Sequence, residues 1–202
     1  MFDTLKQFAN NLTFEFEQIP AERRQLLKEL AGYISHQKDS SLPVKLIFIC
    51  THNSRRSHMA QIWAAAAAKF YGIEHVETFS GGTEATAFNP RAVAAMERAG
   101  FRIENPGGNN PRYRVYFAEG DSGQLCFSKK YDDPANPPSD FAAIMTCSQA
   151  DAECPYIPGA IFRLPLSYND PKEADGTPEE AARYDERCRQ IGREIMYAFS
   201  LL

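Results

Sequence analysis

The segment from Val44 to Cys50 is the feature that most constrains the fold of this chain. It is a nearly continuous run of β-branched, aliphatic and aromatic residues, which is typical of a strand buried on both faces. An alanine-rich stretch from Ser57 to Tyr71 follows it and predicts a helix. Because doubly buried strands occur in parallel sheets with helices on each side, this order favours an α/β fold.

The rest of the chain continues the alternation of strands and helices. Asn89 and Pro90 supply an N-cap and a first-turn proline for one helix. Thr177-Pro178-Glu179-Glu180 has the capping-box pattern of another. Three further strands are predicted, at residues 76–79, 141–146 and 160–166. We therefore predict a doubly wound α/β domain whose four-stranded parallel sheet is flanked by helices.

Two segments stand apart from this pattern. Residues 1–42 predict an N-terminal helical extension before a main domain at residues 43–202, with an amphipathic helix from Pro20 and a polar linker at residues 36–41. Mixed charges on the polar face of that helix favour packing on the domain, or on a second copy, over a membrane surface.

An insertion is predicted at about residues 105–138. Residues 113–117 and 124–128 flank a Gly-containing turn and indicate a β-hairpin. Such a hairpin either covers a site or is peripheral, and the sequence leaves both alternatives open.

Composition limits the classes of function. The chain has 202 residues, with 22 Lys and Arg against 26 Asp and Glu and a net charge of −4. Nucleic-acid binding needs a clustered basic excess, which is lacking. The apolar runs are shorter than a bilayer span, and the first residues lack the pattern of a signal peptide. A cytoplasmic protein that binds neither nucleic acid nor membranes is predicted.

The five cysteines are not needed to stabilise a chain of this length. An odd number in a reducing compartment indicates reactive or buried thiols rather than a disulfide framework. Cys147 and Cys154 have six residues between them, whereas zinc-binding pairs are separated by about two to four. No metal site is predicted.

The most informative motif lies where the first buried strand meets the alanine-rich helix, and reads Cys50-Thr51-His52-Asn53-Ser54-Arg55-Arg56-Ser57. Loop N–H groups and a helix N-terminus surround a tetrahedral oxyanion well, and an arginine clamps two of its oxygens. The same positive helix end favours a cysteine thiolate. The alternative is a buried cysteine at a strand end beside a surface arginine.

This motif resembles that of the low-molecular-weight tyrosine phosphatase superfamily, and within it the thioredoxin-coupled arsenate reductases. The similarity covers roughly residues 44–104 and 140–200. It is carried by three segments, namely Phe48 to Ala60, Ser80-Gly81-Gly82-Thr83-Glu84 and Asn89-Pro90-Arg91-Ala92.

The resemblance implies a role for each candidate site residue. Cys50 is the expected nucleophile, Asp170 of Asn169-Asp170-Pro171 the general acid, and Cys147 and Cys154 a disulfide relay. Ser57 is expected to donate to the Cys50 sulfur. The expected oxyanion-binding residues are Thr51, His52, Asn53, Ser54, Arg55 and Arg56.

The leading expectation is an arsenate reductase that is regenerated by thioredoxin and needs no cofactor. The alternatives are a phosphatase that forms a phosphocysteine, and a non-catalytic oxyanion or phosphoprotein binder. Two residues depart from the family pattern: Arg55 replaces a small residue, and Gln61 stands where some reductases use a glutamate to bind potassium, so that ion is not expected. Cys188 is predicted to lie in the core, and Cys126 is left unassigned.

Overall fold

The computed structural model describes all residues from Met1 to Leu202. Six α-helices and seven strands, numbered in chain order, make up the fold. They are α1 (Asp3–Thr13), α2 (Ala21–Asp39), β1 (Val44–Cys50), α3 (Arg56–Tyr71), β2 (Val76–Gly82), α4 (Pro90–Arg98), β3 (Arg102–Glu104), β4 (Tyr113–Tyr116), β5 (Gln124–Cys126), β6 (Phe141–Met145), α5 (Ser148–Glu153), β7 (Ala160–Pro165) and α6 (Glu180–Phe199). Two short 3-10 helices, Phe16–Gln18 and Pro171–Ala174, complete the set.

The main sheet has four parallel strands in the order β2-β1-β6-β7. The predicted doubly wound α/β fold is therefore confirmed. The chain winds outward in one direction from β1 to β2, and in the other from β6 to β7. Ligands of such sheets bind in the crevice at the carboxyl ends of the strands, where the winding reverses. Cys50 ends β1 and Cys147 follows β6, so both lie at this crevice.

A second, antiparallel sheet has the order β3-β4-β5. Its β4 and β5 form the predicted hairpin, in which Tyr113 pairs with Cys126. The third strand, β3, was not expected, because three residues with exposed ends carry too little pattern to identify a strand.

The N-terminal segment forms two helices where the sequence predicted one. In α1, residues Leu5, Ala9 and Leu12 are buried on one face. The second helix, α2, continues to Asp39, so the residues predicted as a polar linker are mostly helical. Arg23 of α2 forms an ion pair with the buried Glu194 of α6. These helices contribute to the main core, and the division between residues 1–42 and 43–202 stays a prediction.

The interior contains two hydrophobic clusters on opposite faces of the main sheet. The main cluster has 43 buried residues and includes Leu46 and Phe48 of β1. The second has nine and includes Ile47 and Ile49, because successive strand residues face opposite sides. The smaller cluster includes Cys50 at the carboxyl end of β1 and Cys147 just after β6. None of the helices is both long and apolar enough to span a bilayer.

Candidate active site

The loop from Thr51 to Arg56 connects β1 to α3 and is lined by unused donors. None of its six backbone N–H groups donates a hydrogen bond within the protein. Asn53 adopts a left-handed conformation, with φ of +44°, which turns the chain back on itself. Consecutive free N–H groups at a helix N-terminus bind an anion. We call residues 51–56 the anion loop.

Most side chains of the anion loop contact other parts of the protein. Thr51 Oγ1 lies 3.4 Å from Cys147 Sγ, and Ser54 Oγ donates to the Ala87 carbonyl at 2.7 Å. The exposed His52 lies 3.7 Å from a carboxylate oxygen of Glu84. These side chains are therefore held by other parts of the protein, and the backbone N–H groups are the donors of the loop that stay free.

Arg56 is the cation at the mouth of the loop. Its Nη2 donates to Asp170 Oδ2 at 2.7 Å, and its Nη1 donates to the Tyr168 carbonyl at 3.0 Å. The buried Nε has no hydrogen-bond partner. A guanidinium with a free N–H beside the free loop N–H groups can hold an oxyanion, because arginine binds such anions through several N–H donors at once.

Cys50 is buried at the base of the loop, with 3% of its surface exposed. Its Sγ lies 3.1 Å from Ser57 Oγ, and Asn53 Nδ2 donates to that same oxygen at 2.9 Å. Because Ser57 accepts from the amide, its own proton is available to the sulfur.

Arg55, the second arginine of the loop, points toward α6 rather than into the loop. Its Nε donates to the Tyr184 hydroxyl at 2.8 Å, and its Nη2 lies 3.5 Å from Asp175 Oδ2. Burial raises the pKa of Tyr184 to about 12, so its hydroxyl stays neutral. The arginine that replaces a small residue at position 55 is thus held by two partners, Tyr184 and Asp175. The sequence analysis did not identify either of them.

Cys147 and Cys154 lie at the two ends of α5. Cys147 is the N-cap, and its Sγ accepts from Ala150 N at 3.4 Å. Cys154, at the other end, is partly exposed; burial and the nearby Glu153 carboxylate raise its thiol pKa, and Arg163 opposes them. Both are free thiols. No three His, Cys, Asp or Glu side chains are grouped as metal ligands.

The two clusters separate the five cysteines. Cys50 and Cys147 belong to the smaller cluster, and Cys154 packs against it. Cys126 and Cys188 belong to the main cluster, and burial raises the pKa of each to about 12. The prediction that Cys188 lies in the core is confirmed. Cys126 proves to be a core residue as well.

Gly82, at the end of β2, lies directly against the anion loop. A Cβ atom at this position would lie 2.3 Å from the Glu84 carbonyl and 2.6 Å from the Thr51 carbonyl. Only glycine allows β2 to approach so closely. In the sequence, residues 80–84 only carried part of the family resemblance, and the role of Gly82 became clear from this contact.

Comparison with known proteins agrees with this geometry. The family model "Low molecular weight phosphotyrosine protein phosphatase" matches residues 45–109. The chain is 32% identical over 151 residues to a protein of Bacillus licheniformis named arsenate reductase, covering 74% of this chain and 91% of the relative. It is 30% identical, with the same coverage, to the protein of that name from Bacillus subtilis.

Solved structures show the same fold. A YwlE mutant from Bacillus subtilis aligns with a TM-score of 0.52 at 15% identity, covering 78% of this chain and 97% of that one. The low molecular weight protein tyrosine phosphatase from T. tengcongensis aligns with a TM-score of 0.50 at 18% identity, covering 79% and 99%. The chain belongs to the low-molecular-weight tyrosine phosphatase superfamily and, within it, groups with the proteins named arsenate reductase.

Proposed function

We propose that this protein reduces arsenate to arsenite through Cys50, Cys147 and Cys154, and that thioredoxin regenerates it. The observation that carries the proposal is the grouping of these three free thiols around one small cluster, beside a loop of unpaired N–H donors. The relatives named arsenate reductase support the same reaction. We also propose a reducing, cytoplasmic setting, because the relay starts from free thiols.

The first step forms a bond between Cys50 Sγ and arsenic. Backbone N–H groups of the anion loop and Arg56 hold the arsenate oxygens. Asp170, which contacts Arg56 at 2.7 Å, supplies the proton with which one arsenate oxygen leaves as water. The product is a Cys50 thioester of arsenate.

The second step transfers two electrons to arsenic. Cys147 attacks Cys50 Sγ; an S–S bond forms, the S–As bond breaks, and its electron pair stays on arsenic as arsenite leaves. Cys154 then attacks Cys147 Sγ, which gives a Cys147–Cys154 disulfide and releases the Cys50 thiolate. Thioredoxin reduces that disulfide with its own dithiol.

Helix α5 must open for the last exchange. The six residues of α5 lie between the two cysteines, and a helix of that length separates its flanking Cα atoms by about 10 Å along the axis, whereas disulfides need Cα atoms within about 7 Å. Since α5 has only six residues and buries only Ala150, its unwinding costs little. The opened segment would carry the disulfide to the surface, within reach of thioredoxin.

The alternative is hydrolysis of a phosphate monoester through a phosphocysteine. The contact between Arg56 and Asp170 favours it, because a positioned carboxyl can protonate an ester oxygen. This reaction would use Cys50, Arg56 and Asp170, and would not need Cys147.

One experiment separates these functions. Thioredoxin-coupled arsenate turnover and aryl phosphate hydrolysis are measured on the same preparations of wild type, Cys147→Ser and the core control Cys126→Ala. We expect arsenate turnover in wild type and Cys126→Ala and its loss in Cys147→Ser. Aryl phosphate hydrolysis by a wild type that turns over no arsenate would overturn the proposal in favour of the phosphatase.

A further inference from the structure

The inserted segment is fastened directly to the anion loop. Just after β5, Ser128 Oγ donates to the His52 carbonyl at 3.0 Å, and Lys129 N donates to Asn53 Oδ1 at 2.9 Å. The Asn53 contact is fully buried, because Asn53 is 0% and Lys129 5% exposed. These contacts join residues 76 positions apart, so they exist only because the insertion folds back onto the site.

The position of the Lys129 N–H group is itself held from two sides. Gly82 N donates to the Lys129 carbonyl and Tyr131 N to the Gly82 carbonyl, both at 2.9 Å, so the segment forms one parallel bridge with the end of β2. Ser128 is held by Asn110, whose amide exchanges hydrogen bonds with its backbone at 2.8 and 3.1 Å. The Lys129 N–H group therefore stays within hydrogen-bonding distance of Asn53 Oδ1.

A backbone N–H can only donate, and this sets the direction of a chain of hydrogen bonds. Facing Lys129 N, the Asn53 amide must present its oxygen, so its NH₂ group faces Ser57. Ser57 Oγ then accepts from the amide, and its hydroxyl proton is left for Cys50 Sγ.

We propose that the inserted segment is a positioning element of the active site, in which the Lys129 N–H makes Ser57 a hydrogen-bond donor to Cys50. Lys129 and Asn53 act through Ser57 and do not touch the substrate. The proposal rests on the proposed role of Cys50 as the nucleophile, but not on which oxyanion it attacks. It also gives the insertion a role that the sequence left open.

The test compares two proline substitutions at adjacent residues. Lys129→Pro removes the N–H that faces Asn53. Lys130→Pro is the matched control, because Lys130 is exposed and its N–H makes no hydrogen bond within the protein. The readout is the rate at which iodoacetamide alkylates Cys50, followed by mass spectrometry of the Cys50 peptide from pH 5 to pH 10, with thermal unfolding measured alongside.

We expect Lys129→Pro to lower the alkylation rate at neutral pH about tenfold, because a hydrogen bond to the thiolate is lost. The rates should converge at high pH, where the thiolate forms without that bond. Lys130→Pro should match wild type throughout. A folded Lys129→Pro protein with the wild-type profile would overturn the proposal, and so would a slower rate that persists unchanged at high pH.

Asn53→Asp is the second variant, and it tests the same chain of hydrogen bonds if Lys129→Pro does not fold. Aspartate accepts from Lys129 N but has no N–H for Ser57, so the serine proton turns toward the carboxylate. Wild-type Cys50 reactivity in this variant would refute the proposal. Since alkylation needs neither arsenate nor thioredoxin, this result is independent of whether the protein reduces arsenate.

Discussion

The cysteines of the two hydrophobic clusters have different surroundings. In the main cluster, Cys126 and Cys188 are enclosed by apolar side chains, and burial raises the pKa of both thiols to about 12. The only donor near Cys188 is Trp63 Nε1, at 3.4 Å from its sulfur. These thiols are packing residues, and they remain protonated at physiological pH.

The smaller cluster places polar donors beside its sulfurs. Cys50 faces the Ser57 hydroxyl, while Cys147 faces the Thr51 hydroxyl and the Ala150 N–H. Both lie at the carboxyl ends of adjacent strands, where the sheet gives way to loops. All four thiols are almost completely buried, so depth of burial does not distinguish them. The comparison teaches that they differ in the groups that contact the sulfur, which is the reason for proposing that Cys50 and Cys147 react and that Cys126 and Cys188 do not.

The largest effect is expected when the relay is cut at its last thiol. Cys154→Ser should complete one round of arsenate reduction and then stop, so that steady-state turnover falls by more than about 100-fold. The trapped species should be a Cys50–Cys147 disulfide, identified by mass spectrometry of non-reduced peptides. Continued turnover in Cys154→Ser would show that thioredoxin attacks the first disulfide directly.

A large loss of stability is expected on the main-cluster side. Arg23→Met leaves the Glu194 carboxylate, which is 1% exposed, without its ion-pair partner. Only the Gln190 amide then donates to it. Breaking a buried pair in this way costs about 3 kcal/mol, to be measured by urea denaturation.

Arg24→Met is the control for this substitution, because Arg24 pairs only with the exposed Glu17 and should change stability little. Equal effects of the two substitutions would mean that burial of Glu194 does not make the Arg23–Glu194 pair more important to stability than the exposed pair.

A smaller effect is expected for an inert thiol. Cys188→Ala should lower the free energy of unfolding by about 1 kcal/mol, because a buried sulfur is removed. Arsenate turnover should stay at the wild-type level. A loss of turnover in a folded Cys188→Ala protein would contradict the claim that the thiols of the main cluster take no part in the reaction.

The smallest effect concerns the charge beside Cys154. Its thiol pKa is raised, so the thiolate fraction, and with it the resolution of the Cys50–Cys147 disulfide, should increase with pH through the neutral range. Glu153→Gln removes a charge that raises this pKa and should accelerate resolution about two- to threefold at neutral pH. Rapid-quench measurement of the disulfide checks this, with Glu173→Gln as the surface control.

Local patterns predicted most of the scaffold. The apolar run of β1 and the Asn89-Pro90 start of α4 are confirmed because strand burial and helix capping depend on nearby residues. The first helix, α1, was missed, although Leu5, Ala9 and Leu12 recur at helical spacing. Its partners lie far along the chain, and a short amphipathic pattern is weak evidence alone.

The candidate site also has one part that local patterns predicted and another that they did not. The spacing of Cys50, Arg56 and Ser57 already indicated an anion loop, because the chemistry resides in consecutive residues. The direction of Arg55 toward Tyr184, and the contact of Lys129 with Asn53, could not be predicted. Each of these contacts joins residues that are far apart in the chain, so no local sequence pattern predicts it.

The amino-acid sequence was sufficient to predict the alternation of strands and helices in the main sheet and the position of the anion loop, since these depend on residue type and short-range spacing. The roles of Cys50, Cys147 and Cys154 are part of the proposed function. The folded chain was needed to place Cys126 in the main core and to turn the insertion into a support for the anion loop. Those outcomes depend on which distant segments meet when the chain folds, as residues 128–129 meet residues 52–53. A sulfur's neighbours, and therefore its reactivity, are properties of that packing.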